Sequence, residues 1–287
     1  VHCVWRGVIS LSAIRSQAII YTVAETVFDW RSSHFHSLIR EDVMLIASRR
    51  HTAADLALWD EYERGDMACD VARLQRMEAE AVECIQRFAD AGPCYVSISG
   101  GKDSSVLWAV AQLANRGLQA WHLDTQPLAD PHIVEVFAHL NQRFPMPINI
   151  VRNWCRKGDD GQWHATGTFE SGMAEVNEKA GSHRYICGVR AEESGVRRIS
   201  CRHLGKTTNV SCRPLAWWTA QDVYSYSAIR GVPLHPNYAM LGGGRWDRSK
   251  LRVAFLGLTH GANRGRAEWE REYYGDVLNR IERMARQ

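Results

Sequence analysis

Cys94-Tyr95-Val96-Ser97-Ile98 runs directly into Ser99-Gly100-Gly101-Lys102-Asp103-Ser104-Ser105. The first five residues read as a short strand. A helix begins at about Ser104, reaches Asn115 and is closed by Gly117. Between them, two glycines let the backbone turn tightly and approach a ligand closely. The helix start behind that turn offers unpaired N–H groups and the positive end of a dipole. Ser99, Ser104 and Ser105 add hydroxyls, and Lys102 adds a point charge. The stretch is built as a phosphate cradle. It is not a Walker A loop, which needs four residues between its first Gly and its Gly-Lys, then Ser or Thr where Asp103 stands. It is not GxGxxG either.

Working outward, the elements alternate. Thr52 opens a helical stretch through Tyr62, which Gly65 stops. Val71, Leu74, Met77, Val82, Ile85 and Phe88 then recur at helical spacing up to Gly92-Pro93. Downstream, the pattern predicts a strand over Leu118–Leu123, a helix over Pro131–Phe144 and a strand over Ile148–Val151. Residues 153–168 read as loop, Phe169–Ala180 as helix and Tyr185–Val189 as strand. Strands alternating with helices mean βαβ units, hence an α/β fold with a parallel sheet. Beyond 190, short strands are expected over Ile199–Leu204 and Asn209–Leu215, and Thr219 caps a helix to Ile229. Residues 233–247 are loop. Trp269, Tyr273, Val277 and Ile281 mark the core face of a last helix. Residues 1–50 show neither capping nor a clean period. They are expected to be an extension outside the fold, and Met44 is a candidate start.

Composition narrows the class. Of 287 residues, 45% are hydrophobic and 23% charged, so disordered and collagen-like chains are excluded. No apolar run is long enough for a membrane span. The eight cysteines are scattered with no CxxC, which excludes a zinc ribbon and fits a reducing cytoplasm. A net charge of +3 is too small to argue nucleic-acid binding alone. Arg far outnumbers Lys, which fits either coding bias or oxyanion chemistry.

The Ser99–Ser104 stretch resembles the PP-loop of the adenine-nucleotide alpha-hydrolase superfamily. Leu123-Asp124-Thr125 resembles its LDT segment. Gly188-Val189-Arg190 with Glu193-Ser194-Gly195-Val196-Arg197 is similar to the GxR…ESxxR block of phosphoadenosine phosphosulfate (PAPS) reductase-like proteins. Pro214-Leu215, Trp218, Asp222-Val223 and His235-Pro236-Asn237-Tyr238 resemble that family's later segment. The resemblance covers roughly 92–240. It implies a Rossmann-like, mostly parallel sheet with helices on both faces. The chain then divides into an extension (1–50), a helical lead-in (51–91), a nucleotide-binding catalytic domain (92–240) and a C-terminal helical segment (241–287).

The resemblance also implies residue roles. Ser99, Gly100, Gly101, Lys102, Asp103, Ser104, Ser105, Asp124, Thr125, Gly188 and Arg190 would bind the nucleotide. Lys102, Asp103, Arg190 and Arg197 would carry catalysis. Glu193, Ser194, Arg197, Arg198, His235 and Tyr238 would face the substrate. Plainer roles stand beside these: Asp103 as a helix-start carboxylate, Asp124 and Thr125 as a turn cap, His235 as a loop brace. The implied chemistry is cleavage of ATP between its α- and β-phosphates to adenylylate an acceptor, with Mg²⁺ bridging phosphates. One alternative is reduction of PAPS to sulfite. No cysteine follows Cys212, so Cys201 or Cys212, near an Arg cluster, would have to supply the thiolate. Another is a nucleotide- or nucleic-acid-binding module without turnover. Cys155, Cys187, Cys201 and Cys212 are either buried inert thiols or ligands of an iron–sulfur cluster. From Gly195 to Gln221 there is no Asp or Glu, while Arg197, Arg198, Arg202, Lys206 and Arg213 are present. That stretch is either a solvated basic face or the seat of a nucleic acid or other anionic acceptor.

Overall fold

The computed structural model describes residues 44–124, 129–152, 155–157, 163–165, 169–254, 256 and 265–285. Helix α1 (Ala53–Met67) starts on a reciprocal capping box between Thr52 and Asp55. It passes Gly65, the expected stop, because Asp66 in its last turn is buried on a tertiary partner. Helix α2 (Val71–Asp90) is capped by the Asp70 side chain and buries Leu74, Ala81, Cys84, Ile85 and Phe88 along one face. Strand β1 (Tyr95–Ser97) leads through the glycine turn to α3 (Lys102–Leu113). Then follow β2 (Ala120–Asp124), α4 (Ile133–Arg143) and β3 (Ile148–Arg152). Within the stretch read as loop, β4 (Cys155–Lys157) and β5 (Trp163–Ala165) pair antiparallel. Next come α5 (Phe169–Ala180), β6 (Tyr185–Ile186), α6 (Gly195–Leu204), β7 (Ser211–Cys212), α7 (Ala220–Arg230) and α8 (Arg266–Ala285).

The main sheet has the order β3-β2-β1-β6-β7, and every pair is parallel. Alternate residues separate its two faces. Val96, Ala120, Ile148, Ile186 and Cys212 enter a core with Ile85, Leu107, Trp108, Phe137, Leu140 and Val223 from α2, α3, α4 and α7. Tyr95, Leu123, Val151 and Tyr185 point the other way and pack with Val176 of α5. Helices therefore cover both faces, as the alternation of elements implied.

Two expectations are corrected. Ile199–Leu204 is helical, not a strand. Ser194 caps α6 by accepting from Arg197 N at 3.2 Å, and only Cys201 of that helix is buried. The Ile199 and Leu204 that bounded the expected strand face solvent, where propensity counts for little. The fold also begins before residue 50. Met44, Leu45 and Ile46 are buried, Leu45 bridges Leu234 in parallel, and Leu234 N donates to Met44 O at 2.7 Å. Residues 1–43 lie outside the described residues.

A second core joins α1, α7 and α8 to the segment 234–256, with Trp59, Tyr224, Tyr238, Leu241, Trp269, Tyr273 and Tyr274 buried in it. Its charged anchor is Asp66, which takes both Arg248 terminal nitrogens at 2.5 and 2.6 Å. The same guanidinium lies 4.2 Å from the Tyr224 ring centroid and 4.4 Å from that of Tyr62. Removing one member of a buried ion pair strands the other charge without water. Asp66→Ala is expected to cost about 3–5 kcal/mol in urea unfolding, the usual price of stranding a buried charge.

Candidate functional site

The strand order sets where a ligand can sit. From β1 the chain steps to β2 and β3 on one side, while β6 and β7 fill the other. The topological switch point lies between β1 and β6, and open α/β sheets bind ligands outside the carboxyl ends of the strands at that point. The loops leaving these two strands are 98–101 and 187–194.

The first loop turns through Gly100 at φ 78° and caps α3 with Gly101, which has no side chain to offer. Ser99 N donates to Ser104 Oγ at 3.2 Å, Lys102 N to the Tyr238 hydroxyl at 2.9 Å and Ser105 N to Gly101 O at 3.0 Å. Among the described residues, the N–H groups of Gly100, Gly101, Asp103 and Ser104 meet no acceptor. They form a concave set of donors at the positive end of a helix. The buried Ser105 hydroxyl likewise has no partner among the described residues.

Beneath the loop lies a charge triad. Asp103 accepts from Lys102 Nζ at 2.8 Å and from Arg190 Nε at 2.5 Å. Arg190 also donates to Glu192 at 2.7 Å and to Trp218 O at 3.1 Å. Burial lowers the Arg190 pKa, but the Asp103 charge and the hydrogen bonds that Arg190 donates to Glu192 and Asp103 outweigh it and hold the pKa raised. The Lys102 ammonium is buried, lying 5.4 and 5.8 Å from the ring centroids of Tyr238 and Tyr224. It does not stand free in the loop as a phosphate ligand, because Asp103 holds it. Gly188 brings the second loop against the first: a Cβ there would lie 2.8 Å from Asp103 O and 2.9 Å from its carbonyl carbon.

The other expected site residues divide. Glu193 accepts from Arg190 N at 2.8 Å and pairs with Arg197, while Ser194 caps α6, so this block braces the loop after β6. Arg198 is exposed on α6. Asp124, at the carboxyl end of β2, is buried and paired with Arg152 at 3.1 Å. Thr125 lies outside the described residues. His235 is fully buried: its Nδ1 accepts from Asn237 N at 3.2 Å, and its Nε2 lies 3.4 Å from Asp130. It orders its loop and does not face a substrate. Tyr238 is buried as well and serves α3 as a cap.

Sequence reasoning missed Asp130. Asn237 Nδ2 donates to it at 2.7 Å and the Tyr274 hydroxyl at 3.2 Å, tying the approach to α4, the 235–238 loop and α8 together. Burial raises its pKa, but the nearby His235 and hydrogen bonds from His132 N and Asn237 bring it down to about 2. Its only trace in the sequence is a carboxylate ahead of Pro131 at a helix start.

The cysteines do not converge. Cys201 packs with Ala191 and Ala216, Cys212 lies 3.6 Å from Cys84, and Cys187, at β6's exit, donates its backbone N–H to Cys212 O. The side chain of Cys155 lies outside the described residues. No metal-ligating group of three or more occurs among the described residues. The Arg cluster does not lower the Cys212 pKa: the Cys84 hydrogen bond and burial raise it. Burial likewise raises Cys187.

A glycine cradle at the switch point of a parallel sheet, braced by an Asp between two buried cations, defines a PP-loop nucleotide-binding fold. The phosphoadenosine phosphosulfate reductase domain profile matches residues 93–240, and the chain belongs to that family, within the PP-loop adenine-nucleotide alpha-hydrolase superfamily. Among solved structures, phosphoadenylyl-sulfate (PAPS) reductase from Candida auris, in a phosphate complex, is similar with a TM-score of 0.41 and 12% identity. That match covers 61% of this chain and 93% of that one. No curated protein sequence matches the chain significantly.

Gly188→Ala is expected to push the first turn of α3 away. It should lower stability by about 1–3 kcal/mol, as overpacking does, read from the urea midpoint. Asp130 generates a pH dependence. Its folded pKa of about 2 lies below an unfolded value of about 3.9. Its contribution, about 2–3 kcal/mol, is complete above the unfolded value and disappears as pH falls through the folded one. Urea midpoints measured from pH 5 to pH 2 should fall less steeply in Asp130→Asn than in the unmodified chain.

Proposed function

We propose that this chain is an adenine-nucleotide enzyme that cleaves ATP between the α- and β-phosphates and transfers the adenylyl group to an acceptor. The observation that carries this reading is the set of four N–H groups at Gly100, Gly101, Asp103 and Ser104 that meet no acceptor among the described residues, at the switch point of the sheet. Negative charge builds on the leaving pyrophosphate as the α-phosphorus is attacked. Preorganised donors aimed at such charge are each worth roughly 3 kcal/mol in comparable sites. Lys102, Asp103 and Arg190 fix the cradle's shape from below and leave the backbone to receive the phosphates.

The described residues do not form a resident magnesium site, since both Asp103 oxygens are taken by Lys102 and Arg190. Mg²⁺ would enter with the nucleotide, as part of the substrate. An iron–sulfur cluster does not fit Cys201 and Cys212, which are buried in different apolar clusters. The acceptor is read as anionic, docking on α6. Arg197 is paired with Glu193 and Lys206 with Glu80, both from outside the stretch that lacks carboxylates. Arg198 and Arg202 have no carboxylate partner among the described residues and remain available. No helix among the described residues is long and apolar enough to cross a membrane, and the same reading places the enzyme in the cytoplasm.

The family match favours a second reading, reduction of PAPS to sulfite. It needs a thiolate that attacks the sulfonyl sulfur. Cys187 precedes Gly188, which touches the cradle, and so replaces Cys201 and Cys212 as its candidate nucleophile.

Mass spectrometry of the products distinguishes the readings. The chain is incubated with ATP and Mg²⁺ plus a desalted extract as acceptor pool, and separately with PAPS and a dithiol. The expected outcome is pyrophosphate with an adenylylated product or AMP from ATP, and no sulfite from PAPS. Sulfite release abolished by Cys187→Ser would install the reductase instead. Tight nucleotide binding without any product would leave a binding module.

A further inference from the structure

The amino edge of the sheet carries a second cluster of reactive and charged side chains. Arg184 precedes β6 and residues 206–209 precede β7, so these groups lie at the amino edge, opposite the cradle. Between them and α2 a pocket of about 650 Å³ opens, walled by Arg87, Phe88, Arg184, Lys206 and Thr208, with Cys84 in its lining. The wall is basic. Arg184 spends its donors on the carbonyls of Phe88, Gly92 and Asn209, none of them a charge partner. Lys206 and Arg87 each lie 3.5 Å from an exposed carboxylate, Glu80 and Glu83 respectively.

Behind Cys84 lies Cys212, fully buried on β7, with the two sulfurs 3.6 Å apart. A disulfide needs them at about 2.05 Å. The missing distance, roughly 1.5 Å, is of the size that side-chain rotation supplies. The arrangement is asymmetric: Cys84, itself largely buried, lines the pocket, and Cys212 does not. We propose that Cys84 and Cys212 form a peroxide-sensitive dithiol, with Cys84 the attacking thiol and Cys212 the resolving one.

The chemistry balances. The Cys84 thiolate attacks a peroxide oxygen, the O–O bond breaks, and a sulfenic acid and hydroxide form. The Cys212 thiol then attacks the Cys84 sulfur. Its proton joins the departing oxygen as water, and the S–S bond closes. Two thiols are oxidised and one hydrogen peroxide is reduced to two waters. The ionisation of the pair agrees with these roles. The hydrogen bond with Cys212 brings the Cys84 pKa down to about 7 against burial, with Lys206 and Arg87 helping, while the same bond and burial raise Cys212. Cys94 and Cys187, the neighbouring thiols, are both raised by burial.

The test uses the full chain with one equivalent of hydrogen peroxide, followed by alkylation in denaturant and peptide mapping. The expected product has lost two hydrogen masses, carries a linked Cys84–Cys212 peptide and reverts with dithiothreitol. Cys212→Ser should instead halt at a Cys84 sulfenic acid captured by dimedone. A linkage through Cys94 or Cys187, or Cys84 and Cys212 both alkylated after oxidation, would overturn the proposal. If Cys212→Ser fails to fold, the peptide map of the unmodified chain decides alone.

Discussion

Asp103 places one negative charge between two cations that have almost no access to water. Each of those cations would be costly to bury alone, and together they are tolerable only because one carboxylate faces both. This shared pairing joins the loop after β1 to the loop after β6. It therefore defines the two lips of the crevice at which the sheet changes direction. Glu192 offsets the surplus positive charge on Arg190. The base of the cradle is near neutrality, so its attraction for anions rests on oriented N–H groups at the start of α3 and not on a free lysine.

The supports radiate from that point. Gly188 lets the second loop touch the backbone of Asp103. Tyr238 occupies the first N–H of α3, and it belongs to a loop that Asp130, Asn237 and His235 hold from inside. Tyr224 and Tyr238 stack edge to face at 5.9 Å and also flank the Lys102 ammonium. The aromatic core around α1 and α8 is thus continuous with the floor of the site.

What was legible in the sequence follows from the range of the interactions. The glycine turn, the helix caps at Thr52 and Thr219, and the alternation of strands and helices are local, and each was visible as a short pattern. The direction of Lys102 was not. It depends on Asp103, which Arg190 holds from 87 positions further along the chain, a pairing no spacing rule announces. His235 and Tyr238 were read as substrate contacts because their segment resembles a site. Their burial is decided by Asp130 and α8, which contribute no motif. Cys84 carries no signal of its own in the sequence, since only β7 brings Cys212 to it.

The bridge between Leu45 and Leu234 joins residues 189 positions apart, almost the whole span of the described fold. During synthesis at roughly 5–20 residues per second, the partner of Leu45 emerges about 10–40 s after it. For that interval Met44-Leu45-Ile46 is an apolar strand without a neighbour, the kind of edge that pairs with whatever strand is at hand. The nascent chain thus carries an unprotected adhesive segment until the five-stranded sheet behind it has been made. Closing it is a late event, and protection of the Ile46 amide marks the moment the fold is complete.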